Sequence, residues 1–223
     1  KLDTPWGSYY ASAFRRVEGI PMEHTDLSKE IMYEYGKALG KLHSLAAAYE
    51  PKTKKWSHDE VLDWIRTVLS EYNAPDAVVS ELSAVQKELG QLPRNQENYG
   101  LIHYDFELDN VFYDSAAKTC SVIDFDDGMY HWYALDIVQV FDAIEEDRED
   151  LSSEALLEAE REFIRGYQEE HGYTEEMEAS FPVMRRFVKL YGYARLIRCV
   201  AEKFESEPEW LVELRTRLNR KIS

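Results

Sequence analysis

His103-Tyr104-Asp105-Phe106-Glu107-Leu108-Asp109-Asn110 is a polar stretch set between two runs of strand-forming residues, Gly100-Leu101-Ile102-His103 before it and Val111-Phe112-Tyr113 after it. A third such run, Cys120-Ser121-Val122-Ile123, follows the polar turn 114–119 and ends at Asp124-Phe125. Short β-branched and aromatic runs bounded by turn formers read as strands. Asp105, Asn110 and Asp124 therefore stand where strands end.

Helical patterns flank this insert. Ile31, Met32, Tyr35, Ala38, Leu39, Leu42 and Leu45 keep the spacing of one buried helix face, and Gly36 and Gly40 admit a close neighbour there. Ser57-His58-Asp59-Glu60 is a capping-box pattern opening a second helix, and a third runs from about Pro75 to Gly90, the place of a C-terminal glycine. After Trp132 the pattern predicts helices over 135–144, over 153–170 ended by Gly172, over 182–204, and from 208 to about 221, with Pro182 and Pro208 in first turns. Ahead of all these, Tyr9 to Val17 reads as one strand closed by the turn Glu18-Gly19-Ile20-Pro21. The expected fold class is mainly α (α+β), a helical body with a small β-hairpin insert that carries the polar loop.

The chain has 223 residues, 44% of them hydrophobic, enough for a sizeable core in one domain. Its apolar runs are far shorter than the roughly 20 residues of a membrane span, so no membrane partner and a cytoplasmic location are expected. The formal net charge of -17 excludes the basic stripe that nucleic-acid backbones require. From Asp142 to Glu178 there are 15 acidic and 3 basic residues, and from Phe181 onward 10 basic and 5 acidic. This reads as a solvated acidic helix lying near a basic one, and it also favours a cationic small molecule. Cys120 and Cys199 lack metal-ligand spacing and are expected to be reduced core thiols. His43, His58 and His131 are scattered along the chain and read as core or surface histidines, and Tyr130, Trp132 and Tyr133 as packing anchors.

Moving a phosphoryl group from a nucleotide to an alcohol requires a carboxylate to orient the hydroxyl and take its proton, and oxygen ligands for divalent cations. Asp105, Asn110 and Asp124 are side chains of those kinds. The stretch 103–110 resembles the catalytic loop of the aminoglycoside phosphotransferase and choline kinase-like family, and Ile123-Asp124-Phe125-Asp126-Asp127 its metal-binding motif. Gly36 to His43 is similar to the helix that precedes the loop in that family, and Tyr133-Ala134-Leu135-Asp136-Ile137 to the segment that follows. The resemblance, running from about Phe14 to Arg198, implies Asp105 as catalytic base, Asn110 and Asp124 as Mg²⁺ ligands, and His103 and Asp136 as supports of the loop. It further implies ATP as phosphoryl donor and a small-molecule hydroxyl as acceptor. Aminoglycosides, choline, homoserine and sugar derivatives all fall within the family's range.

The chain departs from the family at two loop positions. Tyr104 stands where glycine usually follows the motif histidine, and Glu107 stands where protein kinases place a phosphate-binding lysine. Glu107 and Asp126 are accessory candidates: Glu107 is expected to turn toward a cationic substrate or solvent, and Asp126 with Asp127 to reinforce the metal site or contact substrate, a hydrogen-bonded turn suiting that pair equally. The ten glycines form no glycine-rich phosphate loop. On the resemblance, residues 1–26 are expected to be the last strand of an N-terminal lobe and the hinge, with Arg16, Val17 and Glu18 meeting adenine. Residues 27–223 are expected to be the helical C-terminal lobe of a protein kinase-like fold, a truncated piece inactive by itself. Two further readings remain: a kinase-like binding module without turnover, and a helical interaction protein in which Asp105 and Asp124 lie far apart. Oligomeric state is left open.

Overall fold

The computed structural model describes residues 1–201 and 208–222. Its first long helix, α1 (Lys29–Ala46), buries Met32, Tyr35 and Leu39 of the predicted face together with Gly36, Gly40 and His43, while Ile31, Ala38 and Leu42 are half-buried and Leu45, expected on that face, is 62% exposed near the helix end. It packs against α5 (Ser153–Tyr167) at backbone distance: a methyl group on Gly36 would meet the Phe163 carbonyl, one on Gly40 the Tyr167 carbonyl, and one on Gly166 the Tyr33 carbonyl. Small residues on both helices let the two axes approach. α2 (His58–Glu71) starts at the complete capping box, with Ser57 Oγ accepting from Glu60 N and the Glu60 carboxylate accepting from Ser57 N at 2.9 Å. α3 (Asp76–Leu89) ends at Gly90, but that glycine has φ −64, ordinary right-handed geometry, so the position is as expected and the left-handed cap is not used.

Strand pairs carry the loop. β4 (Tyr99–Ile102) pairs antiparallel with β7 (Met129–Trp132), while β5 (Val111–Asp114) forms a hairpin with β6 (Thr119–Val122) and also pairs with β3 (Ile20–Pro21). The polar loop thus joins two separate ribbons instead of lying within one hairpin, because β4 finds its partner in β7, a strand the sequence reading left unassigned. The expected strand over Tyr9 to Val17 is replaced by a small hairpin of β1 (Leu2–Thr4) and β2 (Gly7–Tyr9), followed by irregular backbone. Strand-favouring composition needs a sheet edge to pair with, and residues 11–16 are exposed without a strand partner among the described residues.

α4 (Ala134–Asp147) is buried over most of its first half, and α6 (Glu175–Ala201) packs on α2, α3 and α4. α6 begins seven residues before Pro182, so this proline lies inside the helix; buried Met177, Phe181, Val183 and Met184 hold that turn together despite the missing N–H. The expected helix end at Phe204 lies outside the described residues. α5 stops at Tyr167, short of residue 170, and α7 (Glu209–Ile222) has Pro208 just ahead of its first turn. Acidic and basic helices do meet: Arg185 donates to both Asp142 oxygens, and Arg186 reaches Glu81 and Glu88 on α3. Cys120 is partly buried, as expected of a core thiol, and burial pushes its thiol up to about 12, whereas Cys199 is exposed on α6. Among the described residues no helix is long and apolar enough to cross a membrane.

Candidate active site

The loop after β4 is gripped from beneath by one buried carboxylate. Asp136, in the first turn of α4 and 0% exposed, accepts from His103 N at 2.9 Å, Tyr104 N at 2.8 Å and His43 Nε2 at 3.1 Å. His43 completes a relay: burial drives its imidazole below the usual histidine range, so the neutral ring donates from Nε2 and accepts at Nδ1 from the Tyr167 hydroxyl, 2.8 Å away. α1, α4 and α5 all converge on these few atoms. His43, which the sequence reading set aside as scattered, belongs to this support; its place in the helix motif 36–43 was the signal.

His103 ties the loop to the Asp124 segment. Its Nε2 donates to the Ile123 carbonyl at 2.9 Å and its Nδ1 accepts from Asp105 N at 3.2 Å, which assigns the Nε2–H tautomer. The Asn110 carbonyl accepts from Ile123 N at 3.0 Å, so both ends of the loop are stitched to the residue before Asp124. This adjacency runs against the reading in which the two acidic motifs lie far apart. Tyr35 of α1 fixes the loop's middle, donating to the Phe106 carbonyl at 2.7 Å and stacking on the Phe106 ring.

Within the loop, Asn110 Nδ2 donates to Asp105 Oδ2 at 2.9 Å and to the Asp105 carbonyl at 3.1 Å. That leaves Asn110 Oδ1 as the amide atom suited to a cation. Asp124 is exposed at φ 60, and its Oδ1 accepts only a long 3.4 Å contact from Asp126 N. A carboxylate and an amide oxygen are hard donors of the kind Mg²⁺ selects, and this ion takes few protein ligands because it keeps waters and phosphate oxygens. The donor set fits such an ion. No cluster of three or more His, Cys, Asp or Glu side chains suited to a metal occurs among the described residues.

Carboxylates crowd the loop. Burial raises the Asp105 carboxyl above its ordinary range, with the charge of Asp109 adding to the effect. Glu107 is pushed up to about 7, first by burial and then by Asp105, Asp109, Asp147 and Glu146. The last two residues come from the acidic end of α4, so part of the acidic segment faces the loop while Asp142 pairs with Arg185. Lys55, which sequence reasoning missed, caps the 124–127 turn by donating to the Phe125 and Asp126 carbonyls, both at 3.0 Å. Nothing in the local sequence around Lys55 signals that contact. Asp126 is exposed, and Asp127 pairs with Arg195 at 2.9 Å. Arg16, Val17 and Glu18 lie in irregular backbone before β3, and no hydrogen bond brings them to the loop among the described residues.

The chain is similar to several known proteins. Amicoumacin kinase of Bacillus subtilis (strain 168) is 30% identical over 138 residues, which are 59% of this chain and 39% of that protein. The structure of amicoumacin kinase hAmiN in complex with AMP-PNP, Ca²⁺ and Ami superposes with a TM-score of 0.70 at 21% identity, covering 93% of this chain and 62% of that one. The microcompartment-associated aminopropanol kinase gives a TM-score of 0.58 at 19% identity, covering 94% of this chain and 65% of that one. The chain therefore spans about two-fifths of the curated relative's length, and the structural likenesses speak for a shared fold. A family model described as the phosphotransferase enzyme family matches residues 3–173. That span is well over half of the 223 residues, and the chain belongs to the phosphotransferase enzyme family.

Proposed function

We propose that this chain carries the catalytic-loop lobe of an ATP-dependent small-molecule kinase, with residues 27–223 as its helical lobe and residues 1–26 leading into it, Arg16 to Glu18 as the hinge. The observation that carries the reading is the loop 103–110, whose Asp105 is oriented by Asn110 and whose backbone is locked on Asp136. In this reading Asp105 would orient the acceptor hydroxyl and take its proton as the acceptor oxygen bonds to the γ-phosphorus and the bond from that phosphorus to the bridging oxygen breaks, releasing ADP. Asn110 Oδ1 and Asp124 would hold Mg²⁺, while His103 and Asp136 keep the loop in shape. ATP with Mg²⁺ supplies the transferred γ-phosphoryl group and screens its charge when bound. Glu107, backed by Glu146 and Asp147, favours an acceptor that brings a cationic group, because an added positive charge relieves the repulsion that lifts its carboxyl.

The test is phosphoryl transfer from ATP across a panel of amino alcohols and aminoglycosides by a protein that joins this lobe to a nucleotide-binding lobe, with Asp105→Asn alongside. Removing a general base lowers turnover by about 10²- to 10⁴-fold, and equal transfer by both proteins sinks the assignment. Asp124→Asn is expected to fold normally and to need much higher Mg²⁺ for the same rate.

A further inference from the structure

A cavity of about 350 Å³ beside Asp127 is lined by Trp56, Trp64, Tyr191 and Cys199 and by the guanidinium-bearing Arg195 and Arg198. Its aromatic rings form a continuous series: Trp56 and Trp64 have centroids 6.5 Å apart, Trp64 meets Tyr191 edge-on at 5.6 Å, and Tyr191 meets Tyr104 at 5.2 Å. Tyr104 is the residue before Asp105, so the series ends at the loop. Arg195 lies 5.4 Å over the Tyr191 ring and is held there by Asp127, which fixes one wall. Trp56 stays 47% exposed, leaving much of its surface open to solvent.

Tyr104 supports this from the backbone. Its φ is 69, in the left-handed region that is strained for a bulky side chain. A tyrosine held at that angle keeps its ring packed on Tyr191, next to the cavity. Strain of this kind persists where surrounding structure over-determines it.

We propose that this cavity is the subsite for a planar aromatic ring of the phosphate acceptor, with Trp56, Trp64 and Tyr191 as its stacking walls and Tyr104 as the link to the catalytic loop. The proposal rests on the phosphotransferase reading for the identity of the acceptor. An acceptor placed this way carries its ring in the cavity and its hydroxyl toward Asp105.

Calorimetric titration of the 223-residue chain with 2-naphthylmethanol and with its saturated analogue decahydro-2-naphthylmethanol tests it without nucleotide. The two alcohols share polarity and approximate size and differ in having a flat π-face. The aromatic alcohol is expected to bind about tenfold more tightly, and Trp56→Ala or Tyr191→Leu to abolish that preference, since one aromatic contact is worth roughly 2- to 10-fold. Trp56→Phe and Tyr191→Phe, which keep a ring, should retain it and guard against loss by misfolding. Equal binding of both alcohols, no binding of either, or indifference to Trp56→Ala overturns the subsite. Transfer that persists in Asp105→Asn overturns the kinase reading instead, so the two failures are distinct.

Discussion

Asp136 has no surface exposure and accepts three hydrogen bonds, two from loop amides and one from His43. Asp136→Ala leaves these donors buried without partners, and breaking such a site costs about 3–5 kcal/mol. At roughly 2–4 °C per kcal/mol for a chain of this size, differential scanning calorimetry should show Tm falling by roughly 10 °C. Glu107 is the opposite case. Burial and the surrounding carboxylates push its folded carboxyl up to about 7, above the ordinary value of about 4.3, so between these values the folded state binds the extra proton. Its contribution to stability is full below about pH 4.3 and is lost as pH rises through 7. Glu107→Gln should melt with the wild type at pH 4 and a few degrees above it at pH 8; identical curves at both values count against the crowding described here. The pair Asp105 and Asn110 was legible from the sequence because a tight loop brings together residues five apart. Lys55, seventy residues from Phe125, was not, since that contact depends on how the segment after α1 folds over the turn.

Among the elements, the α1–α5 pair is the most exacting contact. Gly36→Ala places a methyl group on the Phe163 carbonyl, and backbone cannot swing aside as a side chain does. Overpacking of this kind costs about 1–3 kcal/mol, so a thermal melt should show a fall of several degrees. Gly192 lies in α6 with open space where its Cβ would be, and alanine there should stabilise by about 1 kcal/mol through helix propensity alone. Opposite shifts for these two substitutions test the packing, and a shared sign refutes it. Periodicity located the buried face of α1 and capping chemistry located the start of α2, because both depend on neighbours within a turn or two. The start of α6 was misread for the same reason: Pro182 is a local stop signal, and burial of Met177 and Phe181 against the rest of the molecule outweighed it.

At the scale of the whole molecule, four histidines from distant segments are enclosed, His43, His58, His103 and His131. His131 is fully buried beside His58, with neither ring nitrogen hydrogen-bonded among the described residues, and burial lowers its pKa well below the usual value. His58 and His43 are lowered as well, also by burial. Groups held neutral in this way leave stability intact above the unfolded value of about 6.5 and cost stability as pH falls below it, where the unfolded chain takes up protons. Tm should therefore drop between pH 7 and pH 5, and His131→Phe should flatten the drop; an unchanged slope excludes His131 as its source. The sequence by itself determined the helical class, the boundaries of most helices and the two acidic motifs, because helix periodicity, capping and short-loop spacing are local physics. Only the tertiary structure decided that the expected strand stops at Tyr9 and leaves residues 10–17 irregular, that β4 pairs with β7, and that His43 and Tyr167 stand behind Asp136. It alone brought Tyr191 and Arg195 alongside Tyr104 and Asp127. Each of these depends on which distant surface an element meets, and a pattern of neighbouring residues carries no information about that.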